Sequence, residues 1–570
     1  MGRQVTVVFV LLTLMAACTS GPQNGGNDTA RGGTEPTRAR TMRMMVRNEV
    51  DNLQQKVSGP NAPERTRRLF NAELAQIDGG GNPQPYLAEA LPQLNTDAWQ
   101  LLPDGRMVTT YRLRPGLTWQ DGKELTADDF IFGWHVYISP VLAIFSNRPQ
   151  DLVEDMTAPD PRTLVIRWST TYPEAGALAW DMLPPLPRHI LEAPFAAAEA
   201  DATARDALTN HPYWTTEYIG AGPFRLVQWQ AGYEMEAAAF DGHALGRPKI
   251  DRILIRIMND ENAALTRLLA GEADYAEGFL LQLEHGVILQ REWEPANKGT
   301  VLVWPDATSG QAVQFRPEYQ KSPPFLDVRV RRALSHAVDR QGVDEGVFDG
   351  KAGVLETYVT PQAPYFTDVD RAIMKYPYDP RRTEQLMTEA GLSKDSDGYF
   401  ARGGERFRPD YWITAGTQSE RGAAIITESL RRAGIDAQPF VLSLVAGRDN
   451  EVRATFPGMT QVGLSVRPET IENYLPGQIG TPANRWRGNN RGGWVSPEID
   501  RLWDAYNSTL APQERTQRLV DIARLASEQL PIFIMYPNIR VRAFTANLTG
   551  PDIGSPGTLP QWNVTNWQLR

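Results

Sequence analysis

From residue 41 to the C-terminus, short apolar runs alternate with segments that open on a helix-capping residue, and this alternation admits few architectures. Thr41 to Val50 is apolar and strand-like, and RMVTTYRLR (106–114) alternates as a half-buried strand does. Turns at Pro103-Asp104-Gly105 and Asp121-Gly122 punctuate this region. Thr126-Ala-Asp-Asp129 is spelled as a capping box that opens a helix through Phe130, Ile131 and Trp134. Asn259 or Asp260 caps a helix carrying Leu265, Leu268 and Leu269 and stopping at Gly271. Asp327 caps VRVRRALSHAVDR, in which Val330, Ala333, Leu334, Ala337 and Val338 share one helical face and predict a buried stripe. Asp379-Pro380, Ser496-Pro497 and Pro512 open three more helices, and Pro531 closes the last before the strand IFIMY. Strands and helices interleave throughout, so the expected class is α/β, and 570 residues imply more than one domain.

Composition narrows the function. A net charge of −10 with a pI near 5.4 opposes nucleic-acid binding, which needs a basic footprint to displace counterions. The basic residues are scattered, which opposes a polybasic membrane patch. A single cysteine excludes an intramolecular disulfide and a Cys-rich zinc site. The six histidines (135, 189, 211, 243, 285, 336) contain no His-x-x-x-His pair, and no Gly-x-Ser-x-Gly elbow occurs, so no metal, cofactor or catalytic residue is expected. No stretch approaches 18 consecutive apolar residues. The N-terminal run Val5 to Met15 follows Arg3 and precedes Ala16 and Ala17. It is too short to cross a hydrocarbon core of ~30 Å and reads as a signal peptide over 1–17. The polar stretch up to residue 40 reads as a flexible tether.

Several segments carry a resemblance. LRPGLTWQDGKELTADDFIFGW (113–134), GAGPFRLVQWQAG (220–232), RPKIDRILIRIMNDENAALTRLLAGEADYA (247–276), DVRVRRALSHAVDR (327–340), YPYDPRRTEQLMTEAGL (376–392) and the segment 496–537 occur in this order. Together they resemble the extracytoplasmic solute-binding proteins of ABC importers, in the oligopeptide/dipeptide/nickel-binding class (family 5). Small residues immediately before Cys18 likewise resemble the lipobox of bacterial lipoproteins, in which that cysteine is lipidated and becomes the first mature residue. The resemblance implies a two-lobed, hinged fold with an extra subdomain on the first lobe. The first lobe would comprise 41–75 with 205–305 and 531–570, the extra subdomain 76–204, and the second lobe 306–530. It also implies a monomeric receptor, tethered to the bacterial membrane outside the cytoplasm. Such a receptor takes a peptide or small solute and delivers it to permease subunits. An extracytoplasmic hydrolase, or a signalling or chaperone-like lipoprotein on the same scaffold, is the competing reading.

The resemblance also points to ligand contacts. Glu49, in RNEVDNL (47–53), matches a glutamate that lines the cleft in oligopeptide-binding relatives; the alternative is a surface acid in a loop. TQVGLSVRPETIENYL (460–475), which includes Ser465, resembles the strand and loop that carry a Trp and then an Asp facing the peptide ammonium. Here Leu464 takes the aromatic position and Arg467 the acid's. An arginine there repels an ammonium and suits a carboxylate or phosphate. Alternatively Arg467 pairs internally with Glu469 or Glu472, or the alignment slips and Glu469 takes the acid's role. Trp486, in the Gly-rich loop with Asn484, Arg485, Asn489 and Asn490, suits polar-ligand recognition or an ordinary solvated loop.

Overall fold

The computed structural model describes residues 39–570 apart from 48, 55, 58–65, 143–148 and 557. Cys18, the apolar run before it and the tether lie outside these residues. The chain enters as β1 (Thr41–Val46) and leaves for a small sheet of β2 (Trp99–Leu101), β3 (Met107–Arg112), β4 (Val153–Asp160) and β5 (Thr163–Trp168), with α1 (Ala127–Ile138) packed on it. It returns through β6 (Phe224–Gln230), β7 (Glu234–Ala239), β8 (Arg252–Ile257), α2 (Glu261–Leu269), β9 (Tyr275–Leu281), α3 (Leu283–Trp293) and the long β10 (Gly299–Val313). Then follow α4 (Val328–Ala337), α5 (Arg340–Phe348), α6 (Pro380–Glu389), β11 (Asp410–Thr414), α7 (Thr417–Arg432), β12 (Gln438–Leu442) and β13 (Met459–Ser465). The helices α8 (Pro497–Ser508) and α9 (Pro512–Gln529) precede the long β14 (Ile532–Thr545).

One sheet of ten strands, in the order β12-β11-β13-β10-β14-β9-β1-β8-β7-β6, runs through the molecule. Only β10 and β14 belong to both halves. They pair from Gly299↔Thr545 to Ala312↔Ile532, with a register shift between Pro305 and Ala307. Proline has no amide to give the ladder, so the break falls where a donor is missing and the strand can bend. On one side of the break β14 pairs with β9; on the other β10 pairs with β13. These are the two lobes of an α/β, periplasmic-binding-protein-like fold. Each lobe has a core on both sheet faces. Val541, Ala543 and Leu268 lie on one face of the first lobe, and Met44, Ile255 and Trp567 on the other. In the second lobe Leu334, Ile426 and Phe533 pack on one face and Ile499, Ile522 and Ile534 on the other. The small sheet has its own core around Tyr111, Trp119, Phe130 and Trp168.

The caps form as spelled. The Asp129 carboxylate accepts from the Thr126 amide at 2.9 Å, and Asp260, Asp327, Asp379 and Ser496 each accept from an amide in the first turn of their helix. VRVRRALSHAVDR differs from a single helix. It stops at Ala337 with Val338 extended, because Asp339 caps a new helix by accepting from the Gly342 amide at 2.9 Å. The whole apolar stripe is nevertheless buried, Val338 included. IFIMY is also longer than it reads, since β14 continues through Pro537 to Thr545.

Candidate functional site

Strand direction places the site. In the first lobe β1 runs parallel to β8 and β9, and β9 approaches the break as it proceeds, with Tyr275 opposite Phe544 and Leu281 opposite Val541. In the second lobe β13 runs from Met459, opposite Val313, to Ser465, opposite Ala307, and β11 is parallel to it. The carboxyl ends of both sets of parallel strands therefore point at the register break from opposite sides. This is where open α/β sheets bind ligands.

Helices that follow these strands start at the same level. The starts of α2, α3 and α7 border a cavity of ≈ 690 Å³, which Arg47, Phe348, Arg421, Leu444 and Ile539 also line. Its walls come from both lobes. The first-lobe wall is braced by Arg47–Glu261 at 2.7 Å and by the Gln282 side chain donating to Glu261 at 3.0 Å. On the second-lobe wall, the Gln461 side chain accepts from the Thr414 amide at 3.2 Å and donates to Ser309 and Ser419 at 3.3 and 3.2 Å. At the register break Arg540 of β14 donates to Asp306 at 3.1 Å. Burial pushes this guanidinium's pKa down while Asp306 opposes the shift.

The four residues singled out from sequence go to different places, and none lines this cavity. Glu49 accepts from the Trp229 indole at 2.5 Å and from the Gly232 amide at 2.9 Å, which ties the end of β1 to the β6–β7 hairpin of its own lobe. Ser465 ends β13 in a local turn, where its carbonyl accepts from the Thr470 hydroxyl at 2.6 Å. Arg467, two residues on, reaches across the cleft, its guanidinium carbon 6.0 Å from the centroid of the Trp180 ring. Trp486 stays within the second lobe, edge-on to Tyr319 with ring centroids 6.3 Å apart.

Sequence reasoning missed the groups that Arg467 and its neighbourhood meet. Trp180 and Glu174 follow β5 in a stretch with no motif; Arg515, in the first turn of α9, donates to Glu174 from the other lobe. It also passed over Gln120, reading the adjacent Asp121-Gly122 as a turn only. Gln120 donates to the carbonyls of Gly222 and Phe224 at 3.0 and 2.8 Å and accepts from the Gly220 amide at 3.0 Å. Among the described residues no cluster of three or more His, Cys, Asp or Glu is placed to hold a metal, and no helix is long and apolar enough to cross a membrane.

Two α/β lobes joined by a pair of through-running strands, with a cavity where their strand ends oppose, define a two-lobed binding-protein fold. Residues 89–477 match the middle region of the bacterial extracellular solute-binding proteins, family 5, and the chain belongs to this family. Its members are the substrate-binding proteins of transporters rather than enzymes. The chain is 24% identical to the oligopeptide-binding protein AppA of Bacillus subtilis over 578 residues, covering 99% of this chain and 98% of AppA. It is 25% identical to di/tripeptide-binding protein 2 of Pseudomonas aeruginosa, over 85% of this chain and 86% of that one. Among solved structures, NikZ from Campylobacter jejuni in complex with Ni(L-His) superposes with a TM-score of 0.74 at 20% identity, over 93% of this chain and all of that one. The periplasmic EDTA-binding protein EppA superposes with a TM-score of 0.76 at 15% identity, over 94% of this chain and 97% of that one.

Proposed function

We propose that the chain is a lipid-anchored, monomeric receptor that captures a peptide or other small polar solute between its lobes and hands it to the permease of an ABC importer. The observation that carries this reading is the opposition of strand carboxyl ends across a cavity walled by both lobes. The proposed moving bodies are the first lobe with the small sheet seated on it, and the second lobe. The register shifts favour hinge crossings between Pro305 and Ala307 and, on the return strand, at Asn538–Ile539. Ligand favours the closed arrangement only through contacts that are better there than in the open one. A micromolar Kd leaves about −8 kcal/mol after the costs of closure and ordering.

Arg467 and Ser465 are the proposed ligand contacts at the end of β13. The hairpin bonds of Glu49 and the Tyr319 contact of Trp486 favour scaffold roles for those two. A cation at position 467 favours a ligand that is anionic or uncharged at that point. The relatives' names span oligopeptides, di- and tripeptides, a nickel–histidine complex and EDTA, so the ligand is best sought across classes. A thermal-shift screen of free-amine peptides, N-blocked peptides and anionic non-peptide solutes tests this reading. The expected hit lacks a free ammonium at the Arg467 end and loses its effect in Arg467→Ala. If free-amine peptides alone stabilise the protein, and Arg467→Ala leaves that unchanged, the reading of Arg467 is wrong. Lipid attachment at Cys18 is tested by fractionation, where Cys18→Ser is expected to release the protein from membranes.

A further inference from the structure

Two arginines of the second lobe land on one seven-residue stretch of the small-sheet unit, Glu174 to Trp180. Arg515 donates to Glu174, and Arg467 lies over Trp180. The receiving stretch is held in place from behind. Its Ala175 and Leu178 are buried in the small core. The Tyr111 hydroxyl donates to the Ala175 carbonyl at 2.7 Å and accepts from the Leu178 amide at 3.2 Å. A Cβ at Gly176 would come within 2.5 Å of the Trp99 ring, so the backbone is pressed against its core. Glu174 faces the other lobe from this base, while Trp180, which Arg467 approaches, also lines a small cavity with Arg68, Glu73, Leu559 and Trp562 of the first lobe.

The arginine that meets Glu174 is equally prepared. Its Nε donates to the Tyr506 carbonyl at 3.2 Å, and its guanidinium carbon lies 4.2 Å from the Tyr506 ring centroid. That ring stacks on Trp503, with centroids 5.2 Å apart and planes 8° apart. Leu510, just before α9, packs against the small core as well. The paired side chains remain 17% and 28% exposed, between a buried pair and a free one. Such a pair is strong enough to bias a two-state equilibrium and weak enough to break. Glu174 and Arg515 do not line the 690 Å³ cavity.

We propose that the Glu174–Arg515 pair is a closure latch: two positioning residues, outside the 690 Å³ cavity, that set the ratio of closed to open receptor and thereby its affinity. Closure seats the Arg515 fork on a carboxylate already held in place, so little ordering is lost on pairing. The proposal rests on the hinged-receptor reading. The test uses the full chain carrying Cys18→Ser, with dyes on Lys249→Cys in the first lobe and Glu405→Cys in the second, both exposed. Single-molecule energy transfer then reads the lobe separation without ligand. Glu174→Gln and Arg515→Gln are each expected to lower the closed-to-open ratio by about three- to five-fold. The charge swap Glu174→Arg with Arg515→Glu is expected to restore most of that ratio. Two resolved states with an unmoved ratio would overturn the latch alone, as would single variants that lower the melting temperature without moving the ratio. A swap that fails to restore the ratio would also overturn it. One unvarying separation in every variant, wild type included, would overturn both the latch and the hinged receptor.

Discussion

The small-sheet unit has two interfaces, and they are built differently. Toward the first lobe it is sealed. The Gln120 side chain makes three hydrogen bonds to the backbone of residues 220–224, and the Gln120 amide adds a fourth to the Gly220 carbonyl. Tyr86, fully buried, bonds His243, 5% exposed, at 2.7 Å. Arg68 lies over Tyr86 and pairs with Glu73, with both charged side chains almost wholly buried. Toward the second lobe there are part-exposed guanidinium contacts at Glu174 and Trp180 and the packing of Leu510 against the small core. Buried polar groups, the Arg68–Glu73 pair among them, are costly to leave unpaired, whereas a half-solvated ion pair exchanges its partner for water at small cost. The difference supports the proposal that the small unit travels with the first lobe as its passenger and that the second lobe is free to leave it.

Acid is expected to weaken the sealed side through His243. Gly246's carbonyl 3.0 Å from His243 Nδ1 requires an N–H there, so in the neutral ring Nε2 accepts from the Tyr86 hydroxyl. Burial, helped by the nearby Arg68 charge and opposed by the Gly246 bond, lowers the His243 pKa from 6.5 to about 4. Below pH 6.5 the unfolded chain takes up this proton before the folded one does. The His243 contribution is therefore full above pH 6.5 and is lost as pH falls toward 4, by about 3 kcal/mol in all. Urea unfolding of wild type against His243→Gln, at pH 7.5 and 4.5, isolates this term from the carboxylates. An equal pH slope in both proteins would break the contrast between the two interfaces. Gln120→Ala removes three bonds and leaves a backbone segment short of partners; a loss of about 2 kcal/mol of stability is expected, with the dye-pair ratio unchanged. A Gln120→Ala protein that opens without losing stability would show that the passenger moves after all.

What could be read in advance follows from the range of the forces. The helix starts at Asp260, Asp327, Asp379 and Ser496 are settled by a side chain and an amide two or three residues away, and all are legible. The split at Val338 was missed because the stripe it interrupts stays on one buried face, so periodicity gave no sign of the cap at Asp339. The passage of β14 through Pro537 was hidden because a proline reads as a stop, and only pairing with β10 shows that it is tolerated beside a register shift. Arg467 was legible as a departure from a family pattern. Its cross-lobe partner was not, and neither was Glu174, which lies 341 residues from Arg515 in a stretch with no motif. Gln120 sat inside the segment 113–134 but was obscured by the turn next to it, because a side chain that clamps a distant backbone leaves no local signature.

The smallest expected effect gives the finest test of the comparison. Trp180 has φ = 57°, a left-handed backbone in which a bulky residue is held at a cost of about 1 kcal/mol or more. Trp180→Leu removes the ring that Arg467 faces but keeps the strained backbone. A cation–π contact at 6.0 Å is at the outer limit of useful range, so the closed-to-open ratio should fall by about two- to three-fold at most. Trp180→Gly removes the same ring and also relieves the backbone, because glycine occupies this region freely. The two variants should therefore agree on the dye-pair ratio and differ in urea stability, with the glycine form more stable by about 1 kcal/mol. That split requires the ring to act between lobes and the backbone strain to act within one. If both variants lose about 3 kcal/mol or more in urea, as core tryptophans do, then Trp180 belongs to a permanent interface and the two sides of the small unit are alike.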